Sequence, residues 1–135
     1  MIVRCLSNRA SYLPAAYINP ALGYGTDAVL YGLKVGKEYV VYVLMVDGEQ
    51  TWYYIHEGMY YPHPYPAPFF EVIDPRVSAS WRVELLPNGL LTFAFEEWFA
   101  DPLFFDKLTD QEDEEVRIFQ KVKAKMDSEA LQGSV

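Results

Sequence analysis

Cysteine is nearly absent from this 135-residue chain; Cys5 is the only one. A single thiol excludes an intramolecular disulfide and fits a reducing compartment. Near the N-terminus, in an apolar stretch, Cys5 reads as a small buried hydrophobe. A catalytic thiol would need a base beside it, and the two histidines, His56 and His63, stand far along the chain. Positive charge is scarce as well. Eleven Lys and Arg face nineteen Asp and Glu, for a net charge of −8. That balance lacks the basic footprint of a nucleic-acid binder, and it repels anionic membranes. It attracts a basic protein partner. Long apolar runs are missing too. The longest, YVVYVLMV at 39–46, is too short to span a bilayer. The opening MIVRCLSNRASYLP has no continuous apolar region of the signal-peptide kind, so a cytoplasmic location is expected. There is no P-loop, GxGxxG, GxSxG, HExxH or CxxC. These absences remove the usual grounds for proposing an enzyme, and no cofactor is expected.

What is abundant is apolar and aromatic surface. The chain is 51% hydrophobic and 16% aromatic, enough for a real core. One domain over 1–127 is expected, followed by a flexible tail at 128–135. IVRC at 2–5 reads as a short strand. Residues 7–27, rich in Ser, Asn, Pro, Gly, Ala and Tyr, read as irregular wrapping or a disordered loop. Tyr12, Leu13, Tyr17, Ile18 and Leu22 argue that part of it packs.

Two hairpins follow. Strands at Lys37–Val46 and Thr51–His56 flank Asp47-Gly48, a pair favoured at the centre of a two-residue turn. The first of these strands is apolar on both faces, so it should be central or curl around a core. Phe69–Ile73 is a further strand in which Glu71 shares a face with apolar neighbours, a sign of an edge. Residues 80–98 form the second hairpin around Asn88-Gly89. The last element is a helix over about 109–127. Thr109 and Glu112 have capping-box spacing, and Ile118, Phe119, Val122 and Met126 recur at helical spacing. The order suits a mainly β, α+β fold. It is either a strongly bent antiparallel sheet or an SH3-like, partly open barrel, with one C-terminal helix.

The stretch GMYYPHPYPAPFFEVID at 58–74 sets four prolines at alternate positions, Pro62, Pro64, Pro66 and Pro68. Each fixes φ and removes an N–H, so the segment should run over the surface or along a sheet edge. It reads first as a strap over the core. It reads second as a stiff aromatic surface in which Tyr60, Tyr61, His63 and Tyr65 meet a partner at low entropic cost. Asp47, Glu49 and Glu57 at the neighbouring hairpin ends would add charge. The acids at 110–115 complement the N-terminal pole of the last helix. Yet residues 1–100 still hold six basic and ten acidic side chains, so the acidity is distributed. His56, Glu57 and His63 have no established metal-ligand spacing, and no metal is expected. Trp52, Trp81 and Trp98 read as core or core-edge residues.

From Leu33 to Trp81 the chain resembles a widespread set of small bacterial proteins. Their pattern runs GK-x-Y-x-V-Y, then Y-Y-I, then YPA-x-(L/F)F-E-V-(I/V)-D, then W. Gly36, Lys37, Tyr39, Tyr54, Pro66, Phe70, Glu71 and Asp74 carry the likeness here. The resemblance implies an SH3-like fold more than an activity. By analogy with small acidic bacterial immunity proteins, it suggests a non-enzymatic inhibitor that masks a toxin's active site, with a cognate toxin domain as the basic partner. A peptide- or small-ligand-binding module in a larger assembly is the second reading. A hydrolase is the third, and it would require His56 or His63 to meet a carboxylate in a pocket.

Overall fold

The computed structural model describes residues 1–132. The chain is an antiparallel α+β fold of two sheets and a long C-terminal helix. The strands are β1 (Ile2–Cys5), β2 (Glu38–Val40), β3 (Val43–Asp47), β4 (Gln50–Ile55), β5 (His63–Pro66), β6 (Phe70–Asp74), β7 (Arg82–Leu85) and β8 (Leu91–Ala94). One sheet has the order β2-β1-β6 and the other β5-β4-β3-β8-β7. Neither closes on itself, so there is no closed barrel, consistent with the bent-sheet form.

The long strand expected at 37–46 is in fact two. It breaks at Val41-Tyr42, leaving β2 in the small sheet and β3 in the large one. The break explains why both faces of the segment are apolar. Val41 is fully buried in one core cluster with Val3, Leu33, Ile55 and Phe69. Tyr42 and Val43 are buried in a second, with Phe95, Leu108, Phe119 and Met126. Trp81 packs against both clusters, and its indole N–H donates to the Tyr42 carbonyl at 2.8 Å.

Residues 7–27 wrap the first cluster in three short 3-10 turns. Tyr17 anchors them. Its hydroxyl accepts from the Thr51 N–H at 2.7 Å, and its ring meets Trp52 at 5.9 Å. Cys5 is buried, and burial pushes its thiol pKa up, which disfavours the reactive thiolate.

Both hairpin turns differ from the simple reading. In the first, Asp47 pairs with Gln50, so the two central residues are Gly48 and Glu49. Gly48 takes φ +57° while Glu49 stays at negative φ. Positive φ at the first position alone suits a II′-type turn with Gly leading. Asp47 is therefore the last residue of β3. In the second, the Leu86 N–H donates to the Leu90 carbonyl and the Gly89 N–H to the Leu86 carbonyl. Three residues, Pro87 to Gly89, make the loop, with Gly89 at φ +87°. This is a type I turn closed by a left-handed glycine.

Two short helices, α1 (Glu96–Ala100) and α2 (Phe104–Thr109), precede α3 (Asp113–Gln132). The return strand of the second hairpin thus ends at Ala94, and Trp98 is helical. α3 also outruns the expected boundary at Asp127, with Ala130 still buried, so the first part of the expected tail is ordered helix. The rest of that tail, 133–135, lies outside the described residues. Phe119, Val122, Met126 and Ala130 form its buried stripe. The Tyr42 hydroxyl fixes the helix to the sheet by donating to Asp127 at 2.6 Å.

Candidate functional site

The proline strap is an edge strand. β5 pairs with β4 through Ile55–His63, Tyr54–Pro64, Tyr53–Tyr65 and Trp52–Pro66. Pro64 and Pro66 are two positions apart, so their missing N–H groups fall on the same side of the strand. The ladder to β4 can then run through His63 and Tyr65. The segment is largely sunk. Pro62, Tyr65, Phe69 and Phe70 are buried, with Tyr65 only 9% exposed. Tyr65 therefore cannot offer the broad contact expected of it. Tyr61 is half-buried against Phe105, and His63 is held between the rings of Tyr61 and Tyr65. Burial pushes the His63 pKa down, so its imidazole favours the neutral form. Met59 and Tyr60 alone among the apolar side chains of 59–66 stand well into solvent.

Glu57 also leaves the expected surface. Its side chain is 12% exposed and is held by Lys37 at 2.9 Å, Lys34 at 3.9 Å and the Tyr39 hydroxyl at 2.7 Å. Burial by itself would raise the carboxyl pKa. The hydrogen bonds from Lys37 and Tyr39 and the two ammonium charges outweigh it, and the carboxyl stays below its ordinary value. The Tyr39 hydroxyl in turn accepts from the Lys34 N–H at 3.1 Å. Glu57 is a tie between the end of β4 and the turn entering β2, with its charge already neutralised.

That tie bears on the residues that carry the resemblance. Lys37 and Tyr39 serve Glu57. Glu71 pairs with Arg4 at 3.1 Å, and Asp74 is clamped by Arg76. The Arg76 guanidinium holds the Asp74 carboxyl far below its usual range. Tyr54, Pro66 and Phe70 are buried. These side chains have structural partners, so the pattern describes how this chain folds.

Asp47 and Glu49 are exposed at the β3–β4 turn, with no ion pair among the described residues. A denser acidic surface lies elsewhere, where α2 meets α3. Asp106, Asp110, Glu112, Asp113, Glu114 and Glu115 crowd ten residues, and none makes an ion pair among the described residues. The capping box expected at Thr109 and Glu112 is not formed. The Thr109 hydroxyl donates back to the Asp106 carbonyl at 2.9 Å, as a residue of α2. Instead α2 closes in a Schellman arrangement. The Glu112 N–H donates to Lys107 and the Gln111 N–H to Leu108, with Gln111 left-handed at φ +61°.

Asp113, Glu114 and Glu115 sit in the first turn of α3, where the helix dipole welcomes them. Asp110 is the opposite case. It caps the C-terminal end of α2, where the dipole disfavours an anion, and it makes no ion pair among the described residues; Lys107, the cation of that last turn, is paired with Asp101. Tyr60 stands over this junction, its hydroxyl donating to the Thr109 carbonyl at 2.6 Å. A shallow hollow of about 300 Å³ beside it is lined by Tyr60, Gln111, Asp113, Val116, Arg117 and Gln120. The run at 110–115 is plain in the sequence, where its position reads as a helix-start signal. Its proximity to Tyr60 depends on a contact across 49 residues.

Neither imidazole hydrogen-bonds to a carboxylate among the described residues. His56 lies on Phe119, and burial first and then the nearby Lys123 charge lower its pKa. No group of three or more His, Cys, Asp and Glu among the described residues is placed to hold a metal ion. No described helix is long and apolar enough to cross a membrane. Compared with protein-family profiles, curated proteins and solved structures, the chain finds no match in any of the three.

Proposed function

We propose that this protein is a non-enzymatic binding protein that meets a basic protein surface at the α2–α3 junction. Tyr60 and Met59 supply its apolar rim. In its most concrete form it is an immunity-like inhibitor, acting in the bacterial cytoplasm by covering the active site of a toxin domain. A toxin that handles RNA or DNA carries a basic groove, and an acidic surface competes for that groove without chemistry of its own.

The observation that supports this reading best is Asp110. It is an unpaired carboxylate at the wrong pole of α2, inside a set of six acids without ion pairs. Acids that served only the α3 dipole would not extend back over the end of α2. Concentrated like charge costs folding stability through self-repulsion, and a cationic partner would relieve it. Tyr60, with its hydroxyl already anchored, can present its ring with little further entropy to lose. The test is a tagged pull-down from native lysate at low and high salt, read by mass spectrometry. One stoichiometric basic partner, weakened by salt, supports the reading; a salt-insensitive or acidic partner refutes it.

A further inference from the structure

We propose that β7 is a self-association edge, which pairs antiparallel with β7 of a second copy about Val83. β7 is the outermost strand of the five-stranded sheet. All four of its residues are exposed, Val83 at 55% and Leu85 at 72%. An exposed edge with apolar side chains and free backbone groups is a ready template for another strand.

The register of such a pair follows from the β7–β8 ladder. Leu86 and Leu90 form a hydrogen-bonded pair, the Leu86 N–H donating at 2.8 Å. Bonded and non-bonded pairs alternate along an antiparallel ladder. Glu84 with Thr92 and Arg82 with Ala94 are then the next bonded pairs. The N–H and C=O groups of Val83 and Leu85 therefore point away from β8, out of the sheet.

A two-fold centred on Val83, Glu84 or Leu85 sets outward-pointing residues opposite one another, so the side chains that then face each other decide the register. Centring on Val83 sets Val83 opposite Val83, Arg82 opposite Glu84 of the second copy, and Glu84 opposite its Arg82. Leu85 then comes toward the second copy's Trp81, whose carbonyl can accept while its N–H stays with the Ser78 carbonyl at 3.2 Å. Two opposite-charge pairs and an apolar pair fall into place together. Centring on Leu85 instead brings Val83 against Pro87, which has no N–H to give, and sets Glu84 opposite Leu86 with no charge pair. Centring on Glu84 sets Val83 opposite the second copy's Leu85 with their outward groups able to bond, but it opposes Glu84 to Glu84, a like-charge pair. The strand is thus self-complementary in one register, as a two-fold interface requires. Glu84 has no ion-pair partner within its own chain among the described residues, and Arg82 has only the exposed Glu96 at 3.5 Å.

The pairing is short, so the dimer is weak and reversible. Sedimentation velocity from about 10 µM to about 1 mM, the range suited to a small interface, reads it directly. The wild type is expected to shift from monomer to dimer across this range. Arg82→Glu and Glu84→Arg are each expected to remain monomeric, with association weakened about tenfold or more. Their equimolar mixture, in which every facing pair is again Glu with Arg, is expected to associate. Recovery in the mixture also shows that both variants are folded. A wild type monomeric at every concentration overturns the proposal. So does association that survives either single substitution, or a mixture that stays monomeric.

Discussion

The phenol of Tyr60 donates to the backbone carbonyl of Thr109 at 2.6 Å, tying the loop before β5 to the last turn of α2. That carbonyl belongs to the helix end that has no intrahelical donor. One side chain thus caps a helix across 49 residues of sequence and holds an aromatic ring at the hollow that Asp113 also lines.

Tyr60→Phe keeps the ring and removes the bond. The expected loss is about 0.5–1.5 kcal/mol, the usual net value of one hydrogen bond. In a chain of this size that lowers Tm by roughly 2–6 °C. Calorimetry of the two proteins checks it, and an unchanged Tm would mean that the phenol contributes no stability at Thr109.

Tyr65→Ala should cost far more, about 3–5 kcal/mol, because it empties a buried aromatic site. Met59→Ala, on an exposed side chain of the same segment, should stay within about 0.5 kcal/mol. Urea midpoints of the pair separate strap from surface. Equal midpoints would contradict the burial of Tyr65.

Glu57 sets an acid limb. Its folded pKa lies below the ordinary 4.5, so ionised Glu57 favours the fold. Its contribution is whole above 4.5 and is lost as pH falls through the depressed value. Glu57→Gln should therefore be less stable at neutral pH and lose less on acidification over that window. Melting curves at a series of pH values report the difference. Parallel pH profiles would mean that Glu57 is not ionised against Lys37 and Lys34.

Gln111 occupies the left-handed position that closes α2, which a side chain disfavours by about 1 kcal/mol. Gln111→Gly should raise stability by about 0.5–1 kcal/mol, less than the full penalty because glycine loosens the unfolded chain. A lower Tm in the variant would show that the side chain of Gln111 holds something.

The local parts of this fold were legible in the sequence. Val43 to Ile55 and Arg82 to Ala94 read as hairpins because alternation and Gly signals act within a dozen residues. The alternate prolines confine their segment to the surface or a sheet edge, and Pro64 and Pro66 fall on the edge; that it forms a paired strand is not legible in them. Details of turn type were not legible. Asp47-Gly48 reads as a central pair, yet the register against Gln50 moves the turn one residue along. The capping signal at Thr109 lost to a closer bond to Asp106. The site was less legible still. Glu57 has the composition of a free acid, and only the approach of Lys34, Lys37 and Tyr39 shows that it is paired. Tyr60 and Thr109 meet through tertiary packing, which no spacing encodes.

The proposed function stands on the acidic junction, and one comparison tests it most directly. The tagged wild type, the neutralised form Asp110→Asn/Glu112→Gln/Asp113→Asn/Glu114→Gln, and the control Asp47→Asn/Glu49→Gln are each used to capture partners from native lysate. Low salt leaves charge contacts strong, and high salt screens them. The account predicts one basic partner on the wild type and the control at low salt, reduced at high salt and absent from the neutralised form while that form still melts cooperatively. The same partner held equally by all three proteins, or lost only from the control, would contradict it.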